Sequence, residues 1–261
     1  MISSTGHGRI FAALLVVVLW AVAAGLPAQQ SLPFASDFEA PTYSLGGLPQ
    51  QGWTCDPADG ASVIDSQAFA GTAALEITSG TVVNQLFSSS DSIVWLDGYR
   101  MGQSSDLLPD LSQLTSGSAI LAFHSGELKC LNGNGAGGGN WLSTGIPLDS
   151  GWHRITVRLD YSAKRYDCYI DSAWIISGNR FLWDNTSNQL NGFIGSSSNG
   201  SMFVDSLNVT PYPPPISEQN LRDYLLGKIE LDTLSNLEER TADANGDGVI
   251  DVSDLVFICN L

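Results

Sequence analysis

Trp152-His153-Arg154-Ile155-Thr156-Val157-Arg158-Leu159-Asp160 decides the fold class. His153, Ile155, Val157 and Leu159 alternate with Arg154, Thr156 and Arg158, the period of two with which successive side chains of a strand face opposite ways. One face is core and the other is wet. After Tyr161-Ser162-Ala163-Lys164 the alternation resumes, with Tyr166, Cys168 and Ile170 against Arg165, Asp167 and Tyr169. The pair reads as a hairpin with Arg and Asp opposed on its solvent side.

Similar runs occur at residues 61–65, 73–78, 81–87, 92–101, 118–124, 127–131, 173–177, 192–196 and 201–210, punctuated by Gly, Ser and Asn. About a dozen short strands are too many for one open sheet, so two packed antiparallel sheets are expected. The run Gly133-Asn134-Gly135-Ala136-Gly137-Gly138-Gly139-Asn140 lacks the G-K-[ST] ending of a phosphate loop and reads as a flexible hairpin loop.

Leu32-Pro33-Phe34-Ala35-Ser36-Asp37-Phe38-Glu39, Gly52-Trp53, Gly71-Thr72-Ala73-Ala74-Leu75-Glu76-Ile77, the strand from Gly151 to Asp160 and Phe203-Val204-Asp205-Ser206-Leu207 come in an order that resembles the concanavalin A-like lectin and laminin-G-like superfamily. The resemblance implies an antiparallel jelly-roll β-sandwich over residues 31–210. That superfamily hosts binders and enzymes alike.

Pro211-Tyr212-Pro213-Pro214-Pro215 then interrupts the pattern, and residues 211–216 read as a Pro-rich spacer that keeps two modules apart. Beyond it the pattern is helical. Ser217 is the candidate N-cap of a helix whose apolar face is Leu221, Tyr224 and Leu225, ending near Gly227, and a second short helix is expected over residues 234–240. It leads into Asp243-Ala244-Asn245-Gly246-Asp247-Gly248-Val249-Ile250-Asp251-Val252-Ser253-Asp254, which sets oxygen-bearing side chains at loop positions 1, 3, 5, 9 and 12, with Gly248 at the turn in position 6. Ca²⁺ is a hard cation that takes six to eight oxygens, and this spacing supplies them from Asp243, Asn245, Asp247, the Val249 carbonyl, Asp251 and Asp254. Position 12 is Asp254, one methylene shorter than the Glu of EF-hand sensors.

Together with Leu255-Val256-Phe257-Ile258, this loop resembles a type I dockerin repeat, and residues 217–228 resemble the helix of a first repeat that no calcium loop precedes. The resemblance implies a small helical, EF-hand-like calcium-binding module over residues 217–261, docking onto a cohesin-like partner with Val252 and Ser253 facing it.

Residues 1–28 read as a secretory signal peptide, with Arg9 the sole side-chain charge ahead of an apolar run from Ile10 to Ala24 that is shorter than a membrane span; a retained anchor is the alternative. The expected location is therefore secreted, extracellular or cell-surface, with no membrane contact after cleavage. A formal net charge of −16 argues against nucleic acid as a partner. Cys55, Cys130, Cys168 and Cys259 lie in the exported part, where three pairings are open, as is a state in which Cys130 and Cys168 are buried free thiols.

Retaining glycosidases need two carboxylates about 5 to 5.5 Å apart. The sandwich holds only Glu39, Glu76 and Glu127, none with an acid at the E-x-D-x-x-E offset of the glycosidases of this fold, so no catalytic residue is assigned. His124 and His153 read as structural. Trp141, Trp152, Trp174, Trp183, Tyr161 and Tyr169 can offer flat faces to a polysaccharide or fill the core, and Trp183, beside Asp184 and Asn185, is the candidate ligand-binding ring. The expectation is a non-catalytic binder, with a glycoside hydrolase or a structural surface protein as the alternatives.

Overall fold

The computed structural model describes residues 14–16, 29–214, 218–230, 235–243 and 249–258. In chain order the strands are β1 (Leu14–Val16), β2 (Gln30–Ser31), β3 (Phe34–Ser36), β4 (Gly46–Gly47), β5 (Thr54–Asp56) and β6 (Ala61–Ile64). Next come β7 (Ala74–Ile77), β8 (Val82–Ser88), β9 (Ile93–Gly102), β10 (Ile120–His124), β11 (Glu127–Gly133) and β12 (Gly139–Pro147). The last are β13 (His153–Asp160), β14 (Arg165–Ile170), β15 (Ala173–Arg180), β16 (Gly192–Ser196) and β17 (Met202–Thr210), followed by α1 (Glu218–Leu225), α2 (Asn236–Ala242) and α3 (Val252–Ile258).

The strands form two sheets, as the alternation demands. An eight-stranded sheet runs β12-β11-β10-β1-β16-β8-β2 with β5 also on β8, and a nine-stranded sheet runs β15-β14-β13-β9-β17-β7-β6-β4 with β3 on β17. Pairing is antiparallel except for β2 on β8. The expected hairpin is β13–β14, with Arg158 opposite Asp167 in register and 3.5 Å from it. Ile155, Val157 and Leu159 point into a core shared with Leu75, Phe87, Leu128 and Tyr166, and the aromatic corner Phe38, Tyr43 and Trp53 closes one end of it. Burying one such side chain is worth about 1.5–3 kcal/mol.

Between the sheets lies a cavity of about 40 Å³ lined by Leu96, Leu121, Ile155, Val157, Phe193 and the stem of Arg100. It has room for water-sized molecules only. The Arg100 guanidinium sits 3.6 Å over the Phe123 ring and donates to the carbonyls of Gly102 and Gln103, and burial pushes its pKa down to about 9.

Three observations add to these expectations. The Gly-rich run is not a free loop: Gly135 and Gly137 N–H groups donate to the carbonyls of Phe181 and Leu182, and Gly139 already begins β12. A Cβ at Gly137 would lie 2.2 Å from the Trp183 ring, so the glycines there let backbone pack on indole. Second, Leu14–Val16, inside the stretch read as a signal peptide, pairs with both β10 and β16 in mid-sheet. Third, the spacer does not hold the helical tail apart. The Leu237 N–H of α2 donates to the Ser172 carbonyl, and its side chain packs on Trp95 and Tyr169 on the outer face of the nine-stranded sheet. Trp95, Tyr169 and Leu237 bury apolar surface against one another there, which favours the docked tail.

Within the tail, α1 ends as the sequence predicts. Gly227 takes φ +65°, while the Gly227 and Lys228 N–H groups bond back to Tyr224 and Asp223. Ser235 and Glu238 form a capping box on α2. Leu221 and Ala242 are buried among Tyr224, Leu225, Ile250 and Leu255, so the helices share a small core. The candidate cap Ser217 and residue 234 lie outside the described residues, and among those described no helix is long and apolar enough to cross a membrane.

Candidate functional site

The outer face of the nine-stranded sheet carries Tyr99 of β9 between Arg154 of β13 and Asp205 of β17, each its direct cross-strand partner. Phe69 lies flat on Tyr99, ring centroids 3.4 Å apart at 12°, and meets Trp152 edge-on at 6.1 Å. Phe69 remains 43% exposed, so the three rings form a shelf open to water. Such rings prefer burial, and their exposure here makes this stack the candidate site.

Two carboxylates hold the loop that carries Phe69. Asp205, wholly buried, accepts from the N–H groups of Phe69 and Ala70 at 2.8 and 3.0 Å, and from Ser206 N–H. Burial raises its pKa against the pull of these donors. Glu39 accepts from Thr72 N–H, Thr72 Oγ1 and Ala73 N–H at 2.6–2.7 Å, and these bonds hold its carboxyl below the usual range. Gly71 between them, at φ +67°, leaves room for Glu39: a Cβ would lie 2.3 Å from Oε1.

Beside the shelf, Arg154 makes a two-pronged pair with Asp97, Nε and Nη2 each 2.9 Å from a carboxylate oxygen, and Thr156 donates to the same Asp97. Burial works against the Arg154 charge, but Asp97 outweighs it and raises the pKa. His153 lies with Nδ1 2.9 Å from Asp171 and Nε2 3.2 Å from Asp149, so its ring leaves the apolar face that the alternation assigned to it. Glu238 of α2 reaches Arg154 electrostatically, which puts the tail at the rim of the site. Flat rings beside fixed donors and acceptors can stack on a sugar face and bind its hydroxyls.

The sequence singled out Trp152 and missed Phe69, Tyr99, Asp97 and Arg154; the signal for Phe69 was an aromatic in a turn, Gln67-Ala68-Phe69-Ala70-Gly71. Trp183 is half-buried instead, its Nε1 donating to the Leu114 carbonyl at 2.8 Å and its ring packed near Ile120, Leu131 and Leu182. Trp141 packs in that same cluster, Tyr161 and Tyr169 are buried, and the side chain of Trp174 lies outside the described residues. Of the sandwich glutamates, Glu76 accepts from Ser201 and Glu127 from Lys129, Ser143 and Gly145, so all three are engaged in structure.

Of the calcium-loop residues, Asn245 and Asp247 lie outside the described residues. Asp243 caps α2, Val249 is exposed, Asp251 accepts from Ser253, and Asp254 is wholly buried with Oδ2 accepting from Asp251 N–H at 2.8 Å. Among the described residues no three Asp, Glu, His or Cys side chains converge as a metal would need, and Asn245 and Asp247 of the loop are not among them. Val252 and Val256, one turn apart on α3, are 63% and 55% exposed, and Ser253 is exposed beside them.

No family model matches the chain, and no curated protein does. Among solved structures, it is similar to a conserved carbohydrate esterase from the Shiga toxin-encoding bacteriophage phi24B, at 14% identity and TM-score 0.42 over 61% of this chain and 89% of that one. It is also similar to a cellulose induced protein, at 12% and 0.47 over 68% and 97%. A third is an endo-beta-1,4-glucuronan lyase from the fungus Trichoderma reesei, at 14% and 0.45 over 68% and 94%. At these scores the likeness carries nothing about activity.

Proposed function

We propose that the protein is a secreted, non-catalytic glycan binder whose shelf of Phe69, Tyr99 and Trp152 stacks on sugar rings while Arg154, held in place by buried Asp97, and the exposed Asp171 engage hydroxyls. The exposed Phe69–Tyr99 stack beside a fixed Arg–Asp pair is the observation that carries it. The engagement of Glu39, Glu76 and Glu127 in holding loops and strands supports binding over hydrolysis. On a polysaccharide array the full chain binds at least one acidic-poor or neutral glycan class, because a protein of net charge −16 repels polyanions. Silence across the array, or turnover of a bound glycan, contradicts this reading.

The C-terminal module takes up one Ca²⁺ through Asp243, Asn245, Asp247, the Val249 carbonyl, Asp251 and Asp254, and offers the exposed face of Val252, Ser253 and Val256 to a cohesin-like partner. Asp254 at the last loop position accepts from the N–H of Asp251 at 2.8 Å, and this closeness of two carboxylate-bearing residues supports it, since neighbouring like charges favour a cation between them. Calorimetry on the full chain in millimolar calcium reads a binding heat that Asp254→Ala abolishes; an unchanged heat in the variant removes the site.

A further inference from the structure

Two thiols meet inside the sandwich from opposite sheets. Cys130 on β11 and Cys168 on β14 are 0% and 1% exposed, both free thiols in the one core cluster between the sheets. Tyr166, on the same inward side of β14 as Cys168, carries its hydroxyl across to the Leu131 carbonyl at 2.6 Å, so the strands are clamped together next to the thiols. Cys55 is engaged elsewhere, donating its thiol to the Ala58 carbonyl at 3.4 Å.

We propose that Cys130 and Cys168 close into a disulfide that staples the two sheets when the chain folds with a disulfide-exchange donor such as glutathione disulfide. One cysteine thiolate attacks a sulfur of the donor, releasing one glutathione and leaving a mixed disulfide, and the second thiolate displaces the other glutathione. Two S–H bonds are lost with their protons, one S–S bond forms, and two electrons reduce glutathione disulfide to two glutathiones. In the closed sandwich the Cys168 thiol is held strongly protonated by the neighbouring Cys130 thiol and by burial, so exchange belongs to folding, before the sheets close.

The test refolds the full chain in reduced and oxidised glutathione, blocks thiols with N-ethylmaleimide in denaturant without reductant, and maps the peptides. The expected product is one linked pair holding Cys130 and Cys168, about 2 Da lighter than the two thiol peptides, with a Tm that falls by roughly 10 °C on reduction. The Cys130→Ala/Cys168→Ala chain loses that dependence on reductant. Maleimide or glutathione on Cys130 and Cys168, a bond from either to Cys55 or Cys259, or a reductant-dependent Tm that survives in the double variant overturns the proposal.

Discussion

Glu39 and Asp205 hold one loop from two sides, and acid acts on them in opposite senses. Glu39 has its folded pKa lowered by the Thr72 and Ala73 bonds, so its contribution is complete above the unfolded value of 4.5 and is lost as pH falls through the lower folded value. Asp205 is raised by burial, so the folded state takes up its proton first and acid relieves a cost that neutral pH carries. Glu39→Gln therefore lowers Tm at pH 7, and thermal scans show the gap to the native chain narrowing as pH drops below 4.5; a gap that widens in acid contradicts the assignment. This level was the least legible in the sequence. Trp152 stood out beside a strand, but Phe69 is a single aromatic in a turn, without period, and its place depends on Asp205, 136 residues away.

Among the elements, legibility followed length and periodicity. The strands from β6 to β11 and from β13 to β17 lie where alternation put them, with ends shifted by up to three residues. The strands β2 to β5 have two or three residues each, too few to display a period. β12 escaped because its start is glycine-rich. The docking of α2 was hidden too, since Leu237 completes an apolar stripe whose partners, Trp95 and Tyr169, belong to the sandwich. Leu237→Ala costs about 2–5 kcal/mol of that attachment. Limited proteolysis then cuts faster between residues 210 and 218, and an unchanged rate shows that the tail is held by something else.

At the scale of the whole molecule, among the described residues the eight-stranded sheet is continuous through β1, whose backbone bonds to β10 on one side and β16 on the other. A chain beginning at residue 29 leaves those groups without a partner, and buried backbone without hydrogen bonds is costly. Hydrogen exchange in that shortened chain accelerates at residues 120–122 and 194–196, and protection equal to that of the full chain contradicts a structural role for β1. The sandwich thus presents one outer face covered by Leu111, Leu114, Trp141 and Trp183 and another left open at Phe69 and Trp152. The decisive measurement is titration calorimetry of the glycan selected on the array against the native chain, Phe69→Ala, Trp152→Ala and Trp183→Ala. Affinity falls roughly tenfold in each of the first two variants, for one lost aromatic contact of about 0.5–1.5 kcal/mol with its buried area, and stays near native in the third. Native affinity in both Phe69→Ala and Trp152→Ala, or a loss confined to Trp183→Ala, contradicts the account.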